Sequence, residues 1–340
     1  MADDGTLTAS ILVFASCALA ITLFGTRITR VVDQLADRTG VGEAVAGALF
    51  LGAATSLSGS VLSVTAAWNG HPTLAVSNAI GGIAVQTFFL AVADCFYRRA
   101  NLEHAAASAP NMLQNALLIV LLALILLAPK TPDLTLFSIH PVTPILFIFY
   151  IYGIRLVQSA FERPMWLPSR TRETRADKPD TRNRHVSLAR LWSEFFVLML
   201  VLGLAGWWLE PAAANIAAKT GIGETVVGVL LTAISTSIPE LVTSVAAVRR
   251  GALTLAVGGI IGGNAFDTLF TAASDIAYRS GSIYHQIPQE TLVWLVLTLL
   301  MSGVLLMGQI RRQEQGPGGI GFESVGVVAI YVLGVMLMLG

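Results

Sequence analysis

Long apolar runs constrain this chain more than any other feature. A run of about 17 to 25 residues, rising about 1.5 Å per residue, crosses about 30 Å of hydrocarbon as a helix. Only 12% of the 340 residues are charged, against about 25% in soluble proteins. The sequence therefore predicts an all-α membrane protein with ten transmembrane helices, at residues 9–29, 42–68, 73–97, 112–129, 139–161, 188–209, 222–248, 253–277, 290–310 and 322–339.

One polar stretch divides these ten runs into two groups of five. Residues 162–190 are rich in Arg, Lys, Asp, Thr and Pro and poor in apolar side chains, a composition typical of a solvated loop. The predicted organisation is a first five-helix unit at 1–161, a basic loop at 162–190, and a second five-helix unit at 191–340.

The 21 Lys and Arg residues gather in alternate loops, and short cytoplasmic loops are the ones that collect positive charge. Loop 162–190 is accordingly predicted to be cytoplasmic, with both termini extracytoplasmic and the chain in the plasma (inner) membrane. No basic segment precedes the first run, so we expect a retained span and not a cleaved signal. Acidic and basic residues balance at 21 each, so charge indicates no nucleic-acid partner. The expected partner is the lipid bilayer.

The two halves contain an internal repeat. Sliding the chain by 181 residues aligns Gly40–Asp94 with Gly221–Asp275 without a gap, and 25 of the 55 positions are identical. Five spans, an odd number, separate the copies, so the second would enter the membrane from the opposite side. Inverted repeats of this kind are typical of secondary transporters with a midplane substrate site. The alternative is a duplication that only builds a symmetric bundle.

Two acidic residues lie inside apolar runs of the second copy. Glu240 and Asp267 occupy the middles of neighbouring predicted spans, and a carboxylate in hydrocarbon costs about 2.5 kcal/mol or more unless it meets a cation, a proton or water. A salt bridge is the alternative, but no Lys or Arg lies at comparable depth. Together the two acids suggest a cation site.

Residues just before Glu240 add further oxygen ligands. Thr236, at i−4, shares its helix face, and hard cations such as Ca²⁺ and Na⁺ prefer oxygen. Pro239 is expected to interrupt the helix hydrogen bonds and free a carbonyl. Thr236 and Ser237 fit equally well as helix-packing hydroxyls that bond to a preceding carbonyl.

The segments Thr236–Glu240 (TSIPE) and Gly262–Asp267 (GGNAFD) resemble the paired motifs of the sodium/calcium exchanger (cation/Ca²⁺ antiporter) family. The resemblance covers both repeats and the ten-span layout. It implies that spans one and six slide past a core, that Ca²⁺ and Na⁺ are transported substrates, and that no cofactor is needed. It also implies these cation ligands: Glu240, Asp267, Thr55, Ser56, Thr236 and Ser237.

The first copy departs from the family motif. Ser58 and Gly59 stand where the family has Pro-Glu, and Gln86 occupies the position equivalent to Asp267. Gln86 is therefore expected as a neutral ligand beside two acids. Exchange of Ca²⁺ for Na⁺ is the leading prediction. An H⁺-coupled or monovalent cation exchanger is the alternative because of Gly59, and a passive cation channel is the second. An enzyme has little support, since no nucleophile and base recur at matching depth.

Several polar residues nearer the ends of the spans receive other interpretations. Glu43 and Glu224 are expected to stabilise helix N-termini, with gating as the alternative. Asp94 and Asp275 are expected at the membrane interfaces, as structural residues or lining a vestibule. Histidines at 71 and 285 are expected to be solvated in or near extracytoplasmic loops.

Overall fold

The computed structural model describes residues 6–39, 52–97, 99–172, 174, 187–316 and 319–339, and its regular structure there is helical. Within those residues, ten helices have at least 12 residues. They are α1 (Leu7–Thr39), α2 (Leu57–Trp68), α3 (Pro72–Asp94), α4 (Ala109–Leu127), α5 (Val142–Glu162), α6 (Leu188–Thr220), α7 (Ala233–Arg250), α8 (Leu253–Ala277), α9 (Gln289–Arg311) and α10 (Phe322–Leu339).

Eight helices in the described part of the chain are long and apolar enough to cross a membrane. The seventh predicted span runs unbroken from Glu224 to Arg250, because a π-helical stretch at Val227–Thr232 leads into α7. The remaining two helices, α2 and α10, are apolar but shorter. The predicted run 42–68, which contains α2 and Glu43, begins in residues 40–51, outside the described part.

The 181-residue register extends beyond the segment that the sequence comparison aligned. α1 and α6 begin at Leu7 and Leu188 and end at Thr39 and Thr220, each pair 181 residues apart. Both helices are longer than the predicted runs 9–29 and 188–209. The predicted run for α1 is too short because the helix continues after the apolar run ends. In that continuation the helical periodicity still buries one face, with Val31, Val32 and Leu35.

α1 and α6 pack along each other, and their facing apolar side chains, together with Ala54 and Leu62, form a hydrophobic cluster distinct from the main core. Their ends are joined by an ion pair between Arg27 and Glu194 at 2.6 Å and by a hydrogen bond from Asn215 to Ser10 at 2.6 Å. Small residues let this pair approach the core closely. Gly25 of α1 lies against Pro239, and Gly206 of α6 lies against the Ser58 carbonyl.

The main core is built around α3 and α8, the two most deeply buried of the spanning helices. They pack against each other, against α7 and against α4 or α9. Apolar side chains that point outward on α1, α5, α6 and α10 stay exposed, for example Leu19, Ile148, Leu200 and Met336. Such a surface matches a multi-pass integral membrane protein, since lipid covers it.

Asp94 and Asp275 make equivalent hydrogen bonds at the ends of α3 and α8. Asp94 accepts from Leu102 N at 2.8 Å, Gly321 N at 3.1 Å and Ser324 Oγ at 2.8 Å. Asp275 accepts from Ile283 N at 3.0 Å, His140 N at 2.8 Å and Thr143 Oγ1 at 2.7 Å. Each donor lies 181 residues from its counterpart, and both carboxylates are fully buried. They hold loops and the fifth helix of each copy, which is the structural role.

Candidate cation site

A small buried cavity lies where the central segments of the two copies meet. Its volume is about 10 Å³, room for about one water molecule or one dehydrated ion. Four segments supply its walls: the break before α2, the middle of α3, α7 and α8. Six of the seven predicted ligand residues line it, namely Ser56, Gln86, Thr236, Ser237, Glu240 and Asp267. The seventh, Thr55, interacts with the Glu240 carboxyl group.

The first copy supplies hydrogen-bond donors to the acids of the second copy. Gln86 Nε2 donates to Asp267 Oδ2 at 2.7 Å and, at 3.4 Å, to Ser237 Oγ. Ser56 Oγ donates to Glu240 Oε1 at 3.4 Å. Gln86 and Asp267 are equivalent positions of the repeat, so the two copies meet at their matching residues.

Three oxygen atoms around the cavity have no hydrogen-bond donor among the described residues. They are Glu240 Oε2, Asp267 Oδ1 and Gln86 Oε1. Glu240 is 7% exposed and Asp267 is 2% exposed, and no ion pair in the described residues includes either one. An unsatisfied buried acceptor costs about 1–3 kcal/mol, and more when it is charged. Three such oxygens therefore form a set of ligands suited to a hard cation.

This set is not a conventional protein metal site. The described residues contain no group of three or more His, Cys, Asp or Glu side chains arranged to bind a metal ion. Only two acids meet here, and the amide and hydroxyl groups complete the oxygen set. Two carboxylates carry two negative charges when ionised, which one divalent cation would neutralise.

The residues before Glu240 behave differently from one another. Thr236 Oγ1 donates within its own helix, to Thr232 O at 2.9 Å or Ala233 O at 3.3 Å. α7 continues through Pro239 and does not end there. Pro239 instead packs against Gly25 of α1. Proline has no N–H to donate to the carbonyl four residues earlier, so the freed carbonyl stays a prediction, and the structure adds that Pro239 lies at the contact between the α1–α6 pair and the core.

Asn78 is a cavity residue that the sequence comparison missed. Its amide donates to Gly59 O at 3.1 Å and Ser63 Oγ at 2.9 Å, and its carbonyl oxygen accepts from Thr232 Oγ1 at 2.8 Å. Its equivalent in the second copy is Gly259, so the repeat gave no signal. The only available signal was an amide side chain inside an apolar run.

Gly59 leaves space beside the cavity. A Cβ atom added there would lie 3.5 Å from Thr236 Oγ1 and 3.6 Å from Phe270 Cε2, which is ordinary van der Waals contact. Gly82 also lines the cavity, and an added Cβ would lie 4.0 Å from Asp267 Oδ2. A Cβ atom therefore fits at either glycine without a clash.

Glu224 and His71 connect the copies at one end of the molecule. His71 Nδ1 lies 2.7 Å from Glu224 Oε1, and Leu74 N donates to Glu224 Oε2 at 3.2 Å. Glu224 thus stabilises the N-terminus of α3 in addition to opening its own helix. The hydrogen bond to Glu224 raises the pKa of His71. Nearby, Asn69 Nδ2 donates to Glu210 Oε2 at 2.8 Å.

The expectation that both histidines are simply solvated is wrong. The His71 side chain is 36% exposed and pairs with Glu224. The His285 ring bonds to Ser282 Oγ at 3.0 Å and to Thr131 O at 2.9 Å. Both rings bridge elements that are distant in sequence, and a single-sequence reading of a loop position contains no information about such partners.

Comparisons with known proteins match the chain over both of its halves. The family model described as sodium/calcium exchanger protein matches residues 9–158 and 191–340, once in each half. A protein with the name "Putative antiporter CaxA", from Alkalimonas amylolytica, is 25% identical over 297 residues, covering 85% of this chain and 87% of that protein.

Two solved structures share the fold. The sodium-calcium exchanger NCX_Mj has a TM-score of 0.61 at 18% identity, covering 97% of this chain and 99% of its own. The H⁺/Ca²⁺ exchanger CAX has a TM-score of 0.70 at 14% identity, covering 97% of this chain and 82% of its own. At such identities these likenesses are evidence for the fold.

Proposed function

The chain belongs to the sodium/calcium exchanger protein family, and on that premise we propose that it is a secondary active antiporter that exchanges Ca²⁺ for Na⁺. The observation that carries this proposal is the set of three unpartnered oxygens on Glu240, Asp267 and Gln86 around the cavity. Two carboxylates match the charge of one Ca²⁺, and a neutral amide oxygen and hydroxyls add ligands without adding charge.

The proposed mechanism is alternating access between two inverted five-helix repeats. The site faces one side of the membrane and then the other while α1 and α6 slide past the remaining helices. The second hydrophobic cluster supports this division, because most of its members belong to α1 and α6, with Ala54 and Leu62 added from the first copy. At Gly25 and Gly206 these two helices lie against Pro239 and the Ser58 carbonyl of the core, with no side chain on either glycine to project between them.

The proposed location is the plasma (inner) membrane. Both termini would be extracytoplasmic, and loop 162–190 would face the cytoplasm, as the distribution of Lys and Arg predicts. In this orientation the pair of His71 and Glu224 lies on the extracytoplasmic side. Cysteine accessibility at Ser187 and at Asn69, on opposite sides in this topology, would test it.

Coupling to H⁺ or a monovalent cation is the second candidate. Two neutral first-copy residues favour it, because with Gly59 and Gln86 only two of the four central positions carry acids. Fewer negative charges would hold fewer Na⁺ ions in the site. A carboxylate that releases its cation in a buried cavity would then accept a proton.

Flux measurements in proteoliposomes test these functions. The full chain is expected to take up labelled Ca²⁺ when an outward Na⁺ gradient drives the exchange. Cation inside the liposomes, on the side opposite to the labelled Ca²⁺, should accelerate the uptake. A pH gradient that drives uptake as well without Na⁺ would favour the H⁺-coupled candidate. Uptake that follows only the electrochemical gradient would indicate a passive channel and overturn the antiporter proposal.

Variants test whether Ca²⁺ uptake depends on the residues of the cavity. Glu240→Gln is expected to abolish Ca²⁺ uptake, because it removes one of the two charges that balance the cation. Glu290→Gln makes the same chemical change at an exposed carboxylate in the first turn of α9 and should leave uptake unchanged. Full uptake by Glu240→Gln would show that the cavity is not the transport site.

A further inference from the structure

A second buried acidic cluster lies at the end of α3. Asp94, eight residues after Gln86, lies about 12 Å along the helix from it. Glu103 follows in a short helix at Leu102–Ala105, and Glu323 is in the first turn of α10. The three residues are 0%, 2% and 0% exposed, respectively. The proposed transport mechanism uses none of them.

The three carboxyl groups differ in their hydrogen-bond donors. Asp94 has the three donors described above, and Asn101 donates its amide to Glu323 Oε1. Glu103 Oε1, Glu103 Oε2 and Glu323 Oε2 have no donor among the described residues. Asn101 brings the two glutamates together, because its side-chain oxygen accepts from Glu103 N at 3.2 Å while its amide nitrogen donates to Glu323. Two ionised carboxylates can only accept hydrogen bonds. The pair therefore needs a proton or another cation between its oxygens.

The basic groups next to this cluster, Arg312 and His104, bond to other residues, although Arg312 Nε has no acceptor among the described residues. The Arg312 guanidinium donates to Ser169 O at 2.7 Å and His104 O at 3.4 Å. The His104 ring bonds to Arg312 O at 2.7 Å and to Thr171 Oγ1 at 2.9 Å. No ion pair in the described residues reaches Glu103 or Glu323. A side-chain cation therefore does not neutralise the pair in this part of the chain.

The second copy shows that the fold does not require these two acids. The residues equivalent to Glu103 and Glu323 are Tyr284 and Val142. Tyr284 Oη makes a neutral hydrogen bond of 2.9 Å to Thr143. At that end of the molecule Asp275 accepts hydrogen bonds equivalent to those of Asp94. The acidic pair is thus an addition specific to one end of the molecule.

We propose that Glu103 and Glu323 form a proton-binding site, in which one carboxylic acid O–H donates to the carboxylate of the other and joins α10 to the Leu102–Ala105 helix. A proton fits the pair because one O–H shared between two carboxyl groups supplies the hydrogen-bond donor that the unpartnered oxygens of Glu103 and Glu323 lack. This site is independent of the proposed transport function, since it shares no residue with the cavity.

The pair would respond to pH on its side of the membrane. Burial, followed by the negative charges of Asp94 and Glu323, raises the pKa of Glu103 well above its ordinary value of 4.5. A carboxyl group with a raised pKa in the folded state contributes stability that is complete below the ordinary value. That contribution is lost as pH rises toward the raised pKa. Alkaline pH would therefore loosen the attachment of α10.

Thermal unfolding of the full chain in detergent, measured across a pH series, tests the site. Wild-type protein is expected to show a Tm that shifts downward as pH rises. Glu103→Gln places a permanent amide donor beside Glu323, so its Tm should fall less with pH and exceed the wild-type Tm at alkaline pH. Glu314→Gln, a nearby exposed position, should follow the wild type. A Glu103→Gln profile identical to the wild-type profile would overturn the proposal.

Two further measurements separate the remaining outcomes. Infrared spectra at neutral pH should contain a protonated-carboxyl C=O band that Glu103→Gln loses and Glu314→Gln keeps. Glu323→Gln should give the same pH profile as Glu103→Gln, and it replaces that variant if the latter does not fold. Added Ca²⁺ at alkaline pH provides the last test. If Ca²⁺ raises the Tm of the wild-type protein but does not raise the Tm of Glu103→Gln, the site binds a metal ion and the proton assignment is wrong.

Discussion

The outer ends of the two repeat copies can be compared with their centres. At the outer ends, Asp94 and Asp275 accept the same three hydrogen bonds from donors that are 181 residues apart. At the centres, Glu240 and Asp267 of the second copy face Gly59 and Gln86 of the first. The helical scaffold is therefore symmetric between the two copies, whereas the candidate cation ligands are not.

The largest effect is expected from changing the charges at the centre. Asp267→Asn removes one of two anionic ligands and should weaken Ca²⁺ binding about 10- to 100-fold, since a charged hydrogen-bond partner contributes about 1.5–3 kcal/mol. The exchanged double variant Gln86→Asp/Asp267→Gln restores the charge at the equivalent position and should recover most of the affinity. Calorimetric Ca²⁺ titration measures both. An exchanged variant as weak as Asp267→Asn would mean that the two positions are not interchangeable.

A smaller effect, on stability, is expected at the outer ends. Asp94→Asn and Asp275→Asn each turn an amide NH₂ toward groups that are themselves donors, which should cost about 1–3 kcal/mol. Because the two sets of hydrogen bonds are equivalent, both variants should lower the Tm by similar amounts in the same detergent. A loss confined to one variant would show that the symmetry of the scaffold is geometric only.

Restoring an acid to the first copy should have a smaller effect again. Gly59→Glu has space for its Cβ atom and adds a third carboxylate to the cavity, so divalent affinity should rise about tenfold. Gly59→Gln has the same size without the charge and serves as the control. Equal Ca²⁺ affinity in the two variants would contradict the idea that missing charge limits this site.

The smallest effect is expected from the half-exposed pair of His71 and Glu224. The hydrogen bond to Glu224 raises the pKa of His71 above 6.5, so the stabilisation is complete below 6.5 and is lost as pH rises through the raised pKa. Partial exposure limits it to about 1 kcal/mol or less. Glu224→Gln should flatten the pH dependence of Tm in this range, and an unchanged slope would exclude the pair as its source.

Sequence patterns predicted most of the scaffold and most of the candidate site. Apolar runs located the helices, because crossing hydrocarbon requires continuous apolar sequence. The repeat and its motifs singled out seven residues, six of which line the cavity and the seventh of which contacts Glu240. Whether they bind the transported ion stays a prediction.

The paired end clusters were not predictable in the same way. Glu210 with Asn69 and Glu103 with Glu323 each join residues more than a hundred positions apart. Glu103 lies between two predicted spans, where an acid is ordinarily solvated, so its sequence position gave no reason to expect burial. Helix ends and the partners of loop residues depend on contacts that a local pattern does not contain.

By itself, the sequence determined the helical class, the duplication with its 181-residue register, and the uneven distribution of acids between the copies. These properties depend on which side chains are present and on their spacing along one chain. Only the tertiary structure decided that Gln86 meets Asp267, that Pro239 lies at the α1 contact, and that Glu103 faces Glu323 without a donor. Those facts depend on how helices distant in the chain pack, because packing sets which polar atoms are buried together.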